Sequence, residues 1–176
     1  MGIGGGYAAS TSTLEGPTFQ GKVDAAGGAF TLEVDIGGAL SPGLILAGSF
    51  MVLNVGNAKL TSDTRNYRPA HDPSLTMLAA MLDFYPNSKG GFHLGGALGF
   101  ASFRVRDDTD AQASTGGQNG FGLAPHVGYE WWVGNYWGIG VLGRFLFART
   151  EGDYASDGKE KDTVTGGTIL FSATYN

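Results

Sequence analysis

The sequence predicts an all-β fold: an eight-stranded antiparallel up-and-down transmembrane β-barrel with three short periplasmic turns and four long extracellular loops, spanning residues 1–176 as a single domain. Three observations carry that expectation. Segments of apolar/polar alternation recur along the chain, the connections between them alternate short and long, and charged residues avoid the alternating segments. Helix is disfavoured, because 31 of the 176 residues are glycine and each interior glycine costs a helix about 1 kcal/mol relative to alanine. The longest nearly apolar run, Gly43 to Leu53, is interrupted by Ser49 and falls short of the ~18 residues that a spanning helix needs. A membrane-crossing chain without such a helix must close its strands into a ring, so that no backbone group is left unpaired in hydrocarbon.

The strands are read in order over residues 2–12, 28–40, 44–57, 74–86, 92–106, 121–133, 136–150 and 163–175. Each is long enough to cross hydrocarbon when tilted, which takes about 9–11 residues. In the second, Phe30, Leu32, Val34 and Ile36 share one face, and Thr31, Glu33 and Asp35 the other. In the sixth, Phe121, Leu123, Pro125, Val127, Tyr129 and Trp131 alternate with Gly122, Ala124, His126, Gly128, Glu130 and Trp132. In the seventh, Trp137, Ile139, Val141, Phe145 and Phe147 oppose Gly138, Gly140, Leu142, Arg144 and Leu146. Short connections fall at Ser41-Pro42-Gly43, at residues 87–91 and at Gly134-Asn135; long ones are expected at 13–27, 58–73, 107–120 and 151–162. Of 27 charged residues, 21 lie in or beside the long connections and one, Lys89, in a short turn. The remaining five, Glu33, Asp35, Asp83, Glu130 and Arg144, all fit the face opposite the bulky apolar residues. The cause is physical: an Arg or Lys facing lipid at mid-depth costs about 2–4 kcal/mol. A soluble barrel would reverse this pattern, with large apolar residues inside. Only the third and fourth strands, apolar on both faces, leave room for that alternative.

Composition removes other classes. With 42% apolar residues and 12% aromatics, the chain can bury enough surface to fold. The absence of cysteine excludes disulfides and thiolate zinc sites. A net charge of −5 with no basic cluster argues against nucleic acid as a partner. The segment Met1 to Tyr7 does not read as a signal peptide and is expected to open a mature domain.

The alternating connections, together with Phe92-His93-Leu94-Gly95-Gly96-Ala97-Leu98-Gly99-Phe100, His126-Val127-Gly128-Tyr129-Glu130-Trp131-Trp132-Val133 and the closing segment Thr168 to Asn176, resemble the small eight-stranded outer-membrane proteins of the OmpA-barrel, OmpX and OmpW type over nearly the whole length. The resemblance implies a monomer in the bacterial outer membrane, with both ends periplasmic. Its partners would be the lipid bilayer and lipopolysaccharide, and it would carry no cofactor. One departure stands out: such chains commonly finish on an aromatic residue, whereas here Tyr175 precedes Asn176.

The candidate functional residues lie inside. Pairing across the short turns sets Asp35 opposite Ser49, Asp83 opposite His93 and His126 opposite Arg144. With Glu33 and Glu130 these form an expected lumen polar network, because buried charges in a narrow barrel must be paired. Such a network reads first as a rigidifying plug. A gate is the alternative, and a catalytic carboxylate–histidine pair with Ser49 or Ser102 as nucleophile is a third reading. Met51, Leu53, Met77 and Met81, with Val55 and Ala79, mark a candidate apolar path for a small hydrophobic ligand, since methionine packs adaptably. Tyr85, Phe92, Trp131, Tyr136 and Trp137 are expected in an interfacial aromatic belt. No metal site is expected. Calcium at Asp107-Asp108-Thr109-Asp110 or in Asp153 to Asp162 is weighed and set below solvated loop charge, since neither matches an EF-hand. Arg104, Arg106, Lys159 and Lys161 are candidates for lipopolysaccharide phosphates. Two enzymes, a lipid A deacylase and a lipid A palmitoyltransferase, are known on similar barrels. The corresponding candidates here are His71 and Ser74, for which a solvated loop histidine is the favoured reading. The expected role is structural or surface-interacting with at most a minor pore. Passage of small hydrophobic molecules, as in OmpW-like proteins, and lipid A modification are the alternatives.

Overall fold

A computed structural model describes residues 2–16, 19–62, 73–105, 117–134, 136–154 and 158–175. Eight strands follow one another: β1 (Gly2–Gly16), β2 (Phe19–Ser41), β3 (Leu44–Ser62), β4 (Pro73–Phe84), β5 (Phe92–Val105), β6 (Gln118–Trp132), β7 (Trp137–Tyr154) and β8 (Gly158–Tyr175). Each pairs antiparallel with the next, and β1 pairs with β8 to close the barrel. The first short turn is built on Pro42 and Gly43, and Gly43 takes φ +80°, the left-handed conformation that the third position of a type II turn requires.

Strand stagger fixes the bore. A row of facing residues that starts at Gly2 passes through Glu33, Met51, Met77, Ala101, Gly120, Thr150 and Asp162. It returns to β1 at Ser12, ten residues further along. With the usual rise and strand spacing, that shear in eight strands gives a tilt of about 40° and a backbone radius of about 8 Å. A bore this narrow is filled by side chains. Small residues dominate the inward face: Ala8, Ala29, Ala97, Ala101, Ala124 and Ala148 are buried. They leave room for a few large ones, among them Leu53, Leu75, Met77, Phe103 and Leu146.

The outer face is a continuous apolar band. Phe30, Leu32, Phe50, Leu78, Leu82, Leu94, Leu98, Phe100, Phe121, Val127, Phe145, Ile169 and Phe171 are all exposed. Along β6 the exposed side chains run from Phe121 to Trp131. That span corresponds to a height of about 25 Å at the tilt above, the thickness of an outer-membrane apolar belt.

Two of the four expected long connections are different from the expectation. Most of residues 13–27 and 151–162 is strand: β1 and β2 pair out to Gly16 and Phe19, and β7 and β8 out to Tyr154 and Gly158. These extensions carry Lys22, Asp24, Glu151, Asp153 and Lys159. Their outward face is polar, and on β7 and β8 the inward face is too, with Thr150 and Asp162 buried, so they lack the apolar-outward alternation by which the membrane-crossing parts were recognised. An ion pair joins β7 to β8, Lys159 to Glu151 at 2.8 Å, and another lies within β2, Lys22 to Asp24 at 3.3 Å. β3 likewise extends to Ser62 and β6 begins at Gln118; the centres of the other two long connections lie outside the described residues.

Candidate functional site

The lumen is stratified, and the strand periodicity of two sets each layer. On β6 the inward residues are Glu130, Gly128, His126, Ala124, Gly122, Gly120 and Gln118, read from the short-turn end to the long-loop end. On this strand polar groups thus occupy both ends and small residues the middle.

The waist is an ion pair. Arg144 on β7 and Glu33 on β2 are both buried, and the guanidinium meets the carboxylate through both nitrogens: Nη2 donates to Oε1 at 2.7 Å, and Nη1 contacts Oε2. Nη1 also reaches Met51 Sδ at 3.2 Å. A two-pronged Arg–carboxylate contact is the arrangement that compensates burial of both charges best.

Towards the short turns lies a second cluster. Asp83 Oδ2 meets His93 Nδ1 at 2.8 Å, and Asp83 Oδ1 is 3.4 Å from His126 Nε2. Tyr85 stacks on His93 with ring centroids 4.9 Å apart and donates its hydroxyl to Glu130 at 2.9 Å. Thr174 donates to the other Glu130 oxygen at 2.5 Å. Glycine makes this crowding possible. Asp83 pairs with Gly95, and Gly95 with His126, so the carboxylate and the imidazole meet across a strand that has no side chain between them. A Cβ on Gly95 would lie 2.8 Å from His126 Nε2, and one on Gly128 would lie 2.3 Å from His93 Nε2.

The expected residues distribute as follows. Asp35 stands opposite Ser49, and His126 opposite Arg144. Asp83 does not stand opposite His93. It pairs with Gly95, and His93 with Gly128. The displacement is two residues, so both side chains keep the inward face and touch diagonally. Met51, Leu53, Met77 and Met81 are buried in the lumen. Phe92, Trp131, Tyr136 and Trp137 are exposed near the short turns. Tyr85 is not part of that belt: at 7% exposure it points inward, because it follows Asp83 by two residues and shares its face. Asp162 is not solvated loop charge either; it is buried on β8 and accepts a hydrogen bond from Ser12. Arg104 is exposed on the outer face, and Lys159 and Lys161 lie on the β8 extension. Ser74 is half-buried at the start of β4, whereas His71, Arg106 and Asp107 to Asp110 lie outside the described residues. As for the catalytic reading, His93 Nδ1 is on Asp83, and His93 Nε2 and both nitrogens of His126 have no hydrogen-bond partner among the described residues. Among the described residues, no serine hydroxyl is hydrogen-bonded to either ring. Ser102 sits nine residues from His93 along β5, about 30 Å at strand rise.

The girdled apolar exterior, the closed ring and the filled lumen define a small eight-stranded transmembrane β-barrel of the outer-membrane type. Among solved structures, the chain is similar to the outer membrane protein OprG from Pseudomonas aeruginosa, with 13% identity, TM-score 0.58, and coverage of 99% of this chain and 93% of that one. It is also similar to the outer membrane protein AlkL in lipid bilayers, with 15% identity, TM-score 0.50, and coverage of 99% and 89%. At such identities the likeness is one of fold. No family model and no curated protein matches the sequence.

Proposed function

We propose that the barrel acts as a structural and surface-interacting element of the outer membrane, non-enzymatic and with at most a minor pore. The observation that supports this most directly is the buried Arg144–Glu33 pair with Met51 against the guanidinium. It spans the bore from β7 to β2 at its waist, so a continuous water path there would first have to separate the two charges. The strand extensions above the apolar band offer a polar surface outside, and the exposed Arg104, Lys159 and Lys161 would meet lipopolysaccharide phosphates there. The test is conductance of the purified protein in planar bilayers. No sustained open level is expected, and a stable ion-conducting state would overturn the reading.

A second reading, passage of small hydrophobic molecules, is favoured by one feature: the buried run Met51, Leu53, Met77 and Met81 lies between the polar ends. Faster entry of an apolar fluorescent probe into proteoliposomes than into protein-free vesicles, abolished by filling the run with Met77→Trp, would favour it over the plug. Lipid A modification is a third reading and rests on His71 and Ser74. Unchanged lipid A in cells that express the barrel would count against it.

A further inference from the structure

We propose that Asp83, His93 and His126 form a binding site for a divalent transition-metal ion of the zinc class at the short-turn end of the lumen. The three residues come from three adjacent strands, β4, β5 and β6, and all are buried. One donor atom from each lies within 4.8 Å of the other two. The contacts of 2.8 Å from Asp83 Oδ2 to His93 Nδ1 and 3.4 Å from Asp83 Oδ1 to His126 Nε2 bracket the ~3.3 Å that separates two ligands on one tetrahedral ion with bonds of about 2.0–2.1 Å.

An independent observation points the same way. His126 has a side chain only 1% exposed, yet neither ring nitrogen has a hydrogen-bond partner among the described residues, and Nε2 is aimed at Asp83. Asp83 Oδ1 likewise has no hydrogen bond among the described residues, its close contact being that same Nε2 at 3.4 Å. Buried polar atoms without partners are rare and costly, and an ion between them would satisfy both.

The donor set selects the ion. Two imidazoles and one carboxylate suit zinc, cobalt or nickel, whereas calcium and magnesium require oxygen ligands. Three protein ligands leave a fourth position for water or another small ligand. Tyr85, stacked on His93 and tied to Glu130, holds one imidazole in orientation. The site is one residue from the end of β4 and one from the start of β5, so an ion would enter through the adjacent mouth without passing the Arg144 waist.

The test is titration of tag-free, folded barrel in detergent with Co²⁺, followed by displacement with Zn²⁺. One Co²⁺ per chain is expected, with the intense visible absorption of a four-coordinate ion. H93Q, H126Q and D83N should each weaken binding at least tenfold, and E151Q at the outer rim should leave it unchanged. Folding of each variant is checked by heat-modifiable migration on a detergent gel. Where a variant does not fold, proton NMR of the Co²⁺-loaded wild type decides, with contact-shifted ring protons expected from His93 and His126. Absence of saturable binding, undiminished affinity in folded H93Q/H126Q, or contact shifts confined to His71 would overturn the proposal.

Discussion

Arg144 and Glu33 show how a single pair of side chains can hold a narrow lumen closed. Among the described residues neither forms another ion pair, and both are buried. Removing one should therefore cost far more than removing both, since a lone buried charge keeps its desolvation penalty. Glu33→Ala is expected to destabilise the barrel by about 3 kcal/mol, and Glu33→Leu combined with Arg144→Met to recover most of that loss. Urea unfolding in lipid vesicles measures both; equal losses in the single and double variants would contradict the account. That both residues face inward was legible from alternation. That they meet was not, because register relates neighbouring strands and these two sit on β7 and β2, across the bore. Tyr85 teaches the converse. Its position beside a turn suggested an interfacial aromatic, but its parity with Asp83 already placed it inside. The histidine pair was legible as inward-facing, while its convergence on Asp83 depended on the glycines at 95 and 128, whose role emerges only when strands are laid side by side.

At the scale of strands, the close approach of β4 and β5 depends on residues that have nothing to show in an alternation pattern. An inward Cβ on Gly99 would fall 2.1 Å from the Leu78 carbonyl oxygen and 2.3 Å from Ala79 Cα, which are backbone atoms that cannot swing aside. Gly167 on β8 faces outward with nothing within 4 Å of such a Cβ. Gly99→Val is expected to cost about 1–3 kcal/mol by forcing the two strands apart. Gly167→Val should be neutral or mildly stabilising, because a β-branched residue suits an open strand position. The temperature at which the folded gel band converts to the unfolded one ranks the two variants, and the reverse order would refute the placement of these strands. The alternation located every membrane-crossing strand, but it stopped where the barrel rises out of lipid. Above the band, Lys22, Asp24, Glu151 and Lys159 contact water on exposed faces, so nothing selects one face for apolar residues, and the hairpins continue without the signal that marked them below.

For the whole molecule, the decisive quantity is the medium around the outer face, and it can be read as a depth profile. Leu98 is exposed at mid-band, with Phe100 beyond it. Ser102 lies two residues further towards the rim, and Arg104 two beyond that is already charged and exposed. All four side chains share the outward face of β5. Arginine at 98 must bury its charge in hydrocarbon or drag water inward, at about 2–4 kcal/mol, whereas arginine at 102 can reach the interface at a cost of about 0–1 kcal/mol. Leu98→Arg is therefore expected to lower the unfolding midpoint in vesicles sharply and Ser102→Arg hardly at all. The difference belongs to the bilayer and not to packing, because neither outward side chain contributes to the lumen. Were the band bathed in water instead, both arginines would be equally tolerated, and the apolar exterior that defines the barrel would have no hydrocarbon to account for it.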